Sequence, residues 1–312
     1  MNHKIDLTES YEKNNLQEVN YSVCHSQEKR EGGLQSKGFI KKTNSKDQLI
    51  SVVTVCFNEK YTLRSCINSV LNQKYENVEY IVIDGASTDG SVDIIKSYED
   101  SISYFISEPD GGIYDAMNKG LELTSGDWII FLNADDEFFD SQSLKKIVQG
   151  LKDPKKTYFG RAYVRHNGRI LYKKPNLYNE KWLNHYIPIH QTVLLSALHK
   201  NKKFDTTYKI SADSIYLYNL SLVSEFEFLP VDMVYFSLGG KSSQFINFNG
   251  CLVHIKEHIQ YLKLRKAPFN KIFYIYVAFL SKYFLGRIFH EEVYFEIVSV
   301  VSKIKARFTQ VK

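Results

Sequence analysis

The sequence predicts an α/β fold in which a mostly parallel sheet is flanked by helices and followed by a helical extension at the C-terminal end. Apolar runs of strand length alternate with segments of helical periodicity from residue 49 onward. Most of these strand runs are continuously apolar, which is typical of parallel strands buried on both faces. The chain of 312 residues is also 44% hydrophobic and 14% aromatic, which is enough for a packed core.

Charge and cysteine content disfavour several classes of protein. Lys and Arg outnumber Asp and Glu by 40 to 35 without forming a long basic run, so nucleic acid is not an expected partner. The four cysteines show no Cys-x-x-Cys spacing, which favours a reducing compartment. The first residues contain neither a basic segment nor an apolar stretch, so we expect a cytoplasmic location.

Composition divides the chain into three regions. Residues 1–47 are rich in Lys, Glu, Gln, Asn and Ser and bury too little apolar surface to offset the entropy of ordering, so we predict a disordered arm. Residues 48–245 contain the strand and helix patterns of the folded domain. We expect residues 246–312 to form an amphipathic helical region.

The folded domain begins with two strand and helix units. Residues 49–57 are a β-branched strand run, and residues 61–71 carry apolar side chains at the spacing of a helix face. The second unit has a strand at 78–83 and a helix at 91–98. A third strand, ISYFISE, and a third helix, IYDAMNKGLEL, lead to a fourth strand, DWIIFL. Strands joined by helical crossovers pair in parallel.

Polar side chains follow each of these four strands. They are Asn58 and Glu59, then Asp84, then Glu108 and Asp110, and finally Asn133, Asp135 and Asp136. Ligands of α/β sheets bind at the carboxyl ends of the strands, and clustered carboxylates repel one another unless a cation joins them. Oxygen ligands select Mg²⁺ or Mn²⁺, which bind one or two carboxylates together with substrate phosphates. The alternative for the acid pair is a helix N-cap or a solvated turn.

Several motifs resemble those of inverting family-2 glycosyltransferases, which have the Rossmann-like GT-A fold. They are ISVVTVCFNE, SVLNQKYENVEYIVIDGASTDGS, SEPDGGIYDAMNKGLELTSGDWIIFLNADD, HQTVL, SAD and GGKS. The resemblance covers about residues 49–243, and within the family it is closest to the bacterial branch that builds O-antigen and capsule polysaccharides. It implies a nucleotide-sugar half over 48–137 and an acceptor half over 138–245.

The resemblance implies that the carboxyl edge of the sheet binds a nucleotide-diphosphate sugar, with uridine as the nucleoside. Glu59 and Asp84 would line the nucleoside pocket, with Asp84 on the base or ribose side. Asp115 and Asn118 lie three residues apart on one face of a helix that would line the donor pocket. Lys241, in the GGKS loop, would close over the diphosphate as a counter-charge, and a simple glycine turn is the alternative.

The D-x-D motif of the family corresponds to Asn133, Ala134 and Asp135. Asp135 would then bind the Mg²⁺ or Mn²⁺ of the diphosphate, with Asp136 as a second candidate metal ligand. Asn133 stands where the family has an acid; its amide can still bind a ribose hydroxyl, and the alternative is a plain turn residue.

The resemblance also implies a catalytic base. Asp213 lies in the first turn of a predicted helix, where the family has its base, although an acid in this position also suits the helix dipole. His190, which precedes an apolar run, resembles a His near the acceptor or diphosphate side and is a binding candidate. A structural histidine is the alternative.

Residues 269–289 are dense in aromatics but interrupted by Lys271, Lys282 and Arg287, which is too polar for a transmembrane helix. Aromatic and basic side chains together suit a helix that lies on an anionic bilayer, as a peripheral contact on the inner face of the cytoplasmic membrane. A helix packed against the domain or a second subunit is the alternative.

The predicted function is transfer of a sugar, with inversion, to a glycan or polyprenyl-diphosphate-linked acceptor in surface polysaccharide biosynthesis. The alternative is a catalytically inactive relative that binds sugar nucleotides or polysaccharide, with Asn133 marking the loss of activity. A dinucleotide dehydrogenase is disfavoured because no G-x-G-x-x-G follows a strand. A nucleotidyltransferase would need a glycine-rich basic loop after the first strand, where the sequence is CFNEKYTL.

Overall fold

Strands and helices alternate along the chain in the predicted order. The computed structural model describes residues 29–42, 47–174, 188–238 and 248–266, together with residues 273, 277, 281, 283, 284 and 300. The strands are β1 Arg30–Gly32, β2 Ile50–Cys56, β3 Val78–Asp84, β4 Tyr104–Ser107, β5 Trp128–Phe131, β6 Glu137–Phe138, β7 Thr157–His166, β8 Arg169–Lys174, β9 Val193–Ser196 and β10 Phe226–Ser237. The α-helices are α1 Leu63–Leu71, α2 Ser91–Lys96, α3 Ile113–Leu123, α4 Ser143–Gly150, α5 Ala212–Ser221 and α6 Phe248–Leu264.

The centre of the sheet is parallel, with the strand order β4, β3, β2, β5. Its register aligns the last residues of neighbouring strands, because Cys56 is opposite Asp84 and Asp84 is opposite Ser107. All seven residues of β2 are buried, as expected for a central strand covered on both faces. The α/β fold class is therefore confirmed.

A mixed extension continues the sheet beyond β5. β9 pairs antiparallel with both β5 and β7, and β7 pairs in parallel with β10. β6 pairs antiparallel with the end of β10, and β8 forms a hairpin with β7. This arrangement brings the end of β10 next to the chain that leaves β5.

Each face of the sheet carries its own apolar core, and adjacent residues of β2 face opposite cores. Val52 packs with α1 and α4, whereas Val53 packs with α3 and α5. On the second face α3 lies so close to β2 that a Cβ on Gly120 would come within 2.5 Å of Val53 Cγ1. The contact therefore requires glycine. The two cores hold α1 and α3 at fixed positions behind the carboxyl edge of the sheet.

The predicted disordered arm over residues 1–47 is wrong for residues 29–42. β1 pairs antiparallel with β4 at the edge of the sheet, and Gln35 Nε2 donates to the buried Glu79 carboxylate at 2.9 Å. Backbone pairing with a distant strand and one buried partner order this segment, and neither can be seen in its composition. Residues 1–28 and 43–46 lie outside the described residues.

The C-terminal region is helical over Phe248–Leu264, where α6 packs on α5 through Tyr261, Leu262 and Ile215. The predicted interfacial segment 269–289 lies outside the described residues, apart from single positions within it. None of the helices in the described ranges is both long enough and apolar enough to span a bilayer.

Candidate functional site

At the carboxyl edge, the loop after β2 and the loop after β3 are joined by hydrogen bonds. Asn58 Oδ1 accepts from the Thr88 backbone N–H at 2.9 Å, and the Asn58 N–H donates to Ser87 Oγ at 2.8 Å. Each loop holds a non-glycine residue in the left-handed region, Asn58 with φ 57° and Ala86 with φ 60°. Such a conformation costs an alanine about 1 kcal/mol, and this kind of strain concentrates at functional sites.

The side chain of Asp84 is turned into this loop pair and is buried. Its carboxylate accepts from the Ser87 N–H at 2.9 Å and from the hydroxyls of Ser87 and Ser107 at 2.5 and 2.7 Å. These contacts favour a role in shaping the loop rather than the predicted contact with a base or ribose. Glu59 remains half-buried at the edge, where its carboxylate accepts from Thr62 Oγ1 at 3.2 Å.

Two predicted donor-pocket residues on α3 are engaged elsewhere. Asp115 Oδ2 accepts from the Gly111 N–H at 2.9 Å and so fixes the turn before the helix. Asn118 donates to the Phe204 carbonyl at 2.9 Å and accepts from the Phe204 N–H at 2.8 Å. These contacts favour a structural role for Asn118 over the predicted place in the donor pocket, because both ends of its amide bind this distant backbone. Lys241 lies outside the described residues.

The chain leaving β5 alternates between the core and the edge. Ala134 and Asp136 are buried, whereas Asn133 and Asp135 are partly exposed. The Ala134 N–H donates to the Val55 carbonyl at 3.3 Å, which fixes this segment beside the end of β2. Within the described part of the chain, the buried Asn133 Oδ1 has no hydrogen-bond partner. The segment thus combines the partly exposed Asp135 carboxylate with a buried, unpaired amide oxygen of Asn133.

Asp136 has a structural role, which corrects the prediction that it is a metal ligand. Its two oxygens accept from Gln191 Nε2 at 2.7 Å and from the Ser237 N–H at 2.8 Å. Burial raises the pKa of Asp136 well above its usual range, and the neighbouring charge of Asp135 adds to this. Asp136 therefore ties β10 and the turn at 190–192 to the end of β5.

Arg165 is a site residue that the sequence did not single out. Its Nε donates to Ser237 Oγ at 3.1 Å, and that hydroxyl donates to the Asp135 carbonyl at 2.6 Å. Burial raises the pKa of the Asp135 carboxyl, and the positive charges of Arg165 and His190 oppose this rise. The one signal in the sequence is the alternation of β7, which puts Arg161, Tyr163 and Arg165 on one face.

Asp213 and His190 form a pair beside Asp135. His190 Nδ1 lies 3.2 Å from Asp213 Oδ2, and their side chains are 13% and 27% exposed. Burial alone would raise the pKa of Asp213, but the hydrogen bond and charge of His190 hold that pKa below its usual range, with help from the Ser214 N–H. His190 Nε2 is buried and makes no hydrogen bond to any described residue. The pair offers an ionised, accessible carboxylate.

The candidate site residues at the carboxyl edge fall into two groups, one near the end of β3 and one near the end of β5. The loop after β3 and the segment after β5 flank the end of β2, so they are two strand spacings, or roughly 10 Å, apart. His190 is hydrogen-bonded to Asp213 and is close enough for its charge to act on Asp135, whereas Glu59 follows β2 and Asp84 ends β3.

A hard cation at this edge would have to share its ligands with a diphosphate. No group of three or more His, Cys, Asp and Glu side chains in the described residues could hold a metal ion unaided. Mg²⁺ needs only one or two carboxylates where phosphates complete its coordination. The Asp135 carboxylate and the unpaired Asn133 Oδ1 are oxygen donors of this kind.

Comparisons with known proteins agree with this fold. Residues 51–214 match the family model described as glycosyl transferase family 2. MT1564 of Mycobacterium tuberculosis, an uncharacterized glycosyltransferase, is 34% identical over 184 residues, which cover 56% of this chain and 70% of that protein.

Two solved structures are similar in fold at low identity. Staphylococcus aureus TarS 1–349 in complex with UDP-GlcNAc has a TM-score of 0.56 at 17% identity, over 83% of this chain and 81% of that one. The mannosyltransferase PcManGT of Pyrobaculum calidifontis, in complex with GDP-Man and Mn²⁺, has a TM-score of 0.53 at 14% identity, over 88% and 80%. In three further TarS structures the chain spans less than two thirds of the solved protein, at 60%, 43% and 65%.

Proposed function

Because this chain belongs to glycosyl transferase family 2, we propose that it transfers a sugar from a nucleotide-diphosphate sugar to an acceptor hydroxyl with inversion. The observation that carries the proposal is the Asp213–His190 pair, 3.2 Å apart, beside Asp135 at the carboxyl edge. An ionised carboxylate next to a candidate diphosphate site is the arrangement that such a displacement needs.

The donor is a uridine-diphosphate sugar in this proposal. The complexes of TarS with UDP and UDP-GlcNAc support a uridine nucleotide, and the Mn²⁺ in PcManGT supports a divalent cation. Asp135 and Asn133 would hold Mg²⁺ or Mn²⁺, which when bound neutralises charge on the leaving diphosphate. Glu59 and the loop pair after β2 and β3 would hold the nucleoside.

Asp213 is the proposed general base. Its lowered pKa keeps the carboxylate ionised at neutral pH, so it can take the proton of the acceptor hydroxyl as the oxygen attacks the anomeric carbon. His190 Nδ1 orients the carboxylate through Oδ2. Arg165 lies near Asp135, with its guanidinium paired to Glu137 at 2.5 Å. Attack opposite the leaving diphosphate inverts the anomeric centre.

The acceptor we propose is a glycan carried on a polyprenyl diphosphate, in the synthesis of O-antigen or capsule polysaccharide. The sequence motifs support this proposal. We also propose a cytoplasmic location with peripheral membrane contact through residues 269–289. Lys241 would serve as a counter-charge to the diphosphate. Both proposals rest on the sequence.

Release of UDP from a panel of UDP-sugars, with Mn²⁺ or with EDTA, tests the proposal. We expect Asp213→Asn to lower the turnover number about 100-fold or more, which is typical for loss of a general base. Asp93→Asn is the matched control, because Asp93 is an exposed acid on α2. Wild-type rates in Asp213→Asn would refute the assignment of the base. No release from any donor by the wild type would favour the inactive relative suggested by Asn133.

A further inference from the structure

Glu257, on α6, binds the short segment that leads into Asp213. Its carboxylate accepts from three consecutive backbone N–H groups: Lys209 to Oε1 at 2.8 Å, and Ile210 and Ser211 to Oε2, both at 2.9 Å. Glu257 is only 6% exposed. Asp213 follows Ser211 by two residues, in the first turn of α5. A buried carboxylate from the C-terminal helix thus fixes the start of the helix that carries the proposed base.

The same segment is held from its other side by α3. Tyr114 OH donates to the Ile210 carbonyl at 2.6 Å and lies 3.4 Å from Asp213 Oδ1. The N–H and the C=O of Ile210 are therefore bound by two different helices. Three consecutive backbone N–H groups share this one carboxylate, so the segment is fixed at three successive residues. The direction in which α5 begins, and with it the position of Asp213, depends on this clamp.

We propose that Glu257 is a positioning residue for Asp213. Through this residue, α6 contributes to the active site. The matched family region ends at residue 214, so the residue that orients the base lies 43 positions beyond it. This proposal rests on the proposed function of Asp213 as the general base. Displacement of a catalytic group by about 1 Å can lower a rate about 100-fold. Loss of the hydrogen bonds from Glu257 should therefore lower the turnover number.

The test is Glu257→Gln, which keeps the shape but removes the charge and one acceptor atom. We expect kcat for UDP release to fall about tenfold to 100-fold while KM for the donor changes less than about twofold, since the donor is held by other elements. Lys256→Gln, on the exposed face of the same helix, is the control and should keep wild-type values. An unchanged kcat in Glu257→Gln would overturn the proposal.

A double-mutant cycle separates positioning from general loosening. In the Asp213→Asn background, Glu257→Gln should lower kcat no further, because the residue it positions no longer acts as a base. An equal further loss in that background, or a parallel loss of donor binding, would overturn the proposal. If Glu257→Gln does not fold, the same measurements are made on Glu257→Asp. We expect a smaller loss of kcat in that variant, and an unchanged kcat would contradict the proposal. A wild type without turnover would instead refute the proposed function.

Discussion

Both ends of the central parallel strands hold buried polar groups, but the hydrogen bonding of Glu79 at one end differs from that of Asn133 and His190 at the other. At the amino end Glu79, 1% exposed, accepts from Ser51 Oγ, Gln35 Nε2, and both the N–H and the hydroxyl of Ser125. At the carboxyl end Asn133 Oδ1 and His190 Nε2 are buried, and no described residue pairs with them.

The difference is that the two unpaired atoms at the carboxyl end belong to residues of the proposed site. Nearly all buried polar groups in proteins are hydrogen-bonded, and the exceptions need a reason. The Glu79 network has all its partners within the chain, so it contributes stability. Among the described residues, Asn133 Oδ1 and His190 Nε2 have no partner, and under the proposed function a bound substrate would supply one.

The largest expected effect in this comparison is on stability at the amino end. Glu79→Ala leaves several buried donors unpaired, so the free energy of unfolding should fall by about 3 kcal/mol. UDP release per folded molecule should stay at the wild-type rate. Denaturant unfolding measures the change, with Glu122→Ala, in an exposed ion pair with Lys203, as a control near zero. A loss below about 1 kcal/mol would mean that the network is not structural.

At the carboxyl end, substitution of Asp136 should have a smaller effect on the free energy of unfolding. Asp136→Ala should lower the free energy of unfolding by about 2 kcal/mol, because the Ser237 N–H and Gln191 lose their acceptor. Asp136→Asn should cost about 1 kcal/mol or less, since the Gln191 amide can turn so that its Oε1, unpaired in the described structure, accepts from the new amide. Denaturant unfolding measures both changes.

Dependence on Mn²⁺ distinguishes the structural role of Asp136 from a ligand role. Asp136→Asn should keep the Mn²⁺ concentration dependence of the wild type. A weakened response to Mn²⁺, like that expected for Asp135→Asn, would show that Asp136 is a metal ligand after all.

The smallest change expected is a shift in the pH profile. Burial by itself raises the pKa of Asp213 and His190 lowers it, so His190→Asn should raise the pKa of this carboxyl. Because Asp213 acts in its ionised form, kcat falls as the pH drops through its pKa, and the acidic limb should move to higher pH. His199→Asn, in the short 3₁₀ turn Ala197–His199 after β9, serves as the control. An acidic limb that stays in place, or moves to lower pH, would show that His190 does not tune Asp213.

Sequence alone was sufficient for the central strands and their order along the chain. The apolar runs of β2, β3 and β5 and the turn residues behind them are local signals, and they placed Asn133 and Asp135 correctly at the carboxyl edge. The fold class and the family are confirmed by the structure and the comparisons. Apart from the correction for Asp136, the roles of the individual site residues remain predictions.

Contacts between residues far apart in sequence were beyond prediction. Asn118 binds the backbone of Phe204, 86 positions away, and Glu257 reaches the segment before Asp213 from 46 to 48 positions away. Asp136 points inward because the Gln191 amide and the Ser237 N–H, from distant parts of the chain, meet it there. No local pattern encodes such partners, since they depend on how helices and strands pack.

Binding of UDP to the carboxyl end of the sheet is the most direct test of the central claim, and titration calorimetry measures it. With Mn²⁺ present we predict that the wild type binds UDP at least about tenfold more tightly than Asp135→Asn does, a difference of about 1.4 kcal/mol. Glu79→Gln should bind UDP as the wild type does. Equal affinities in the wild type and Asp135→Asn, or no binding of UDP at all, would contradict the assignment of the site.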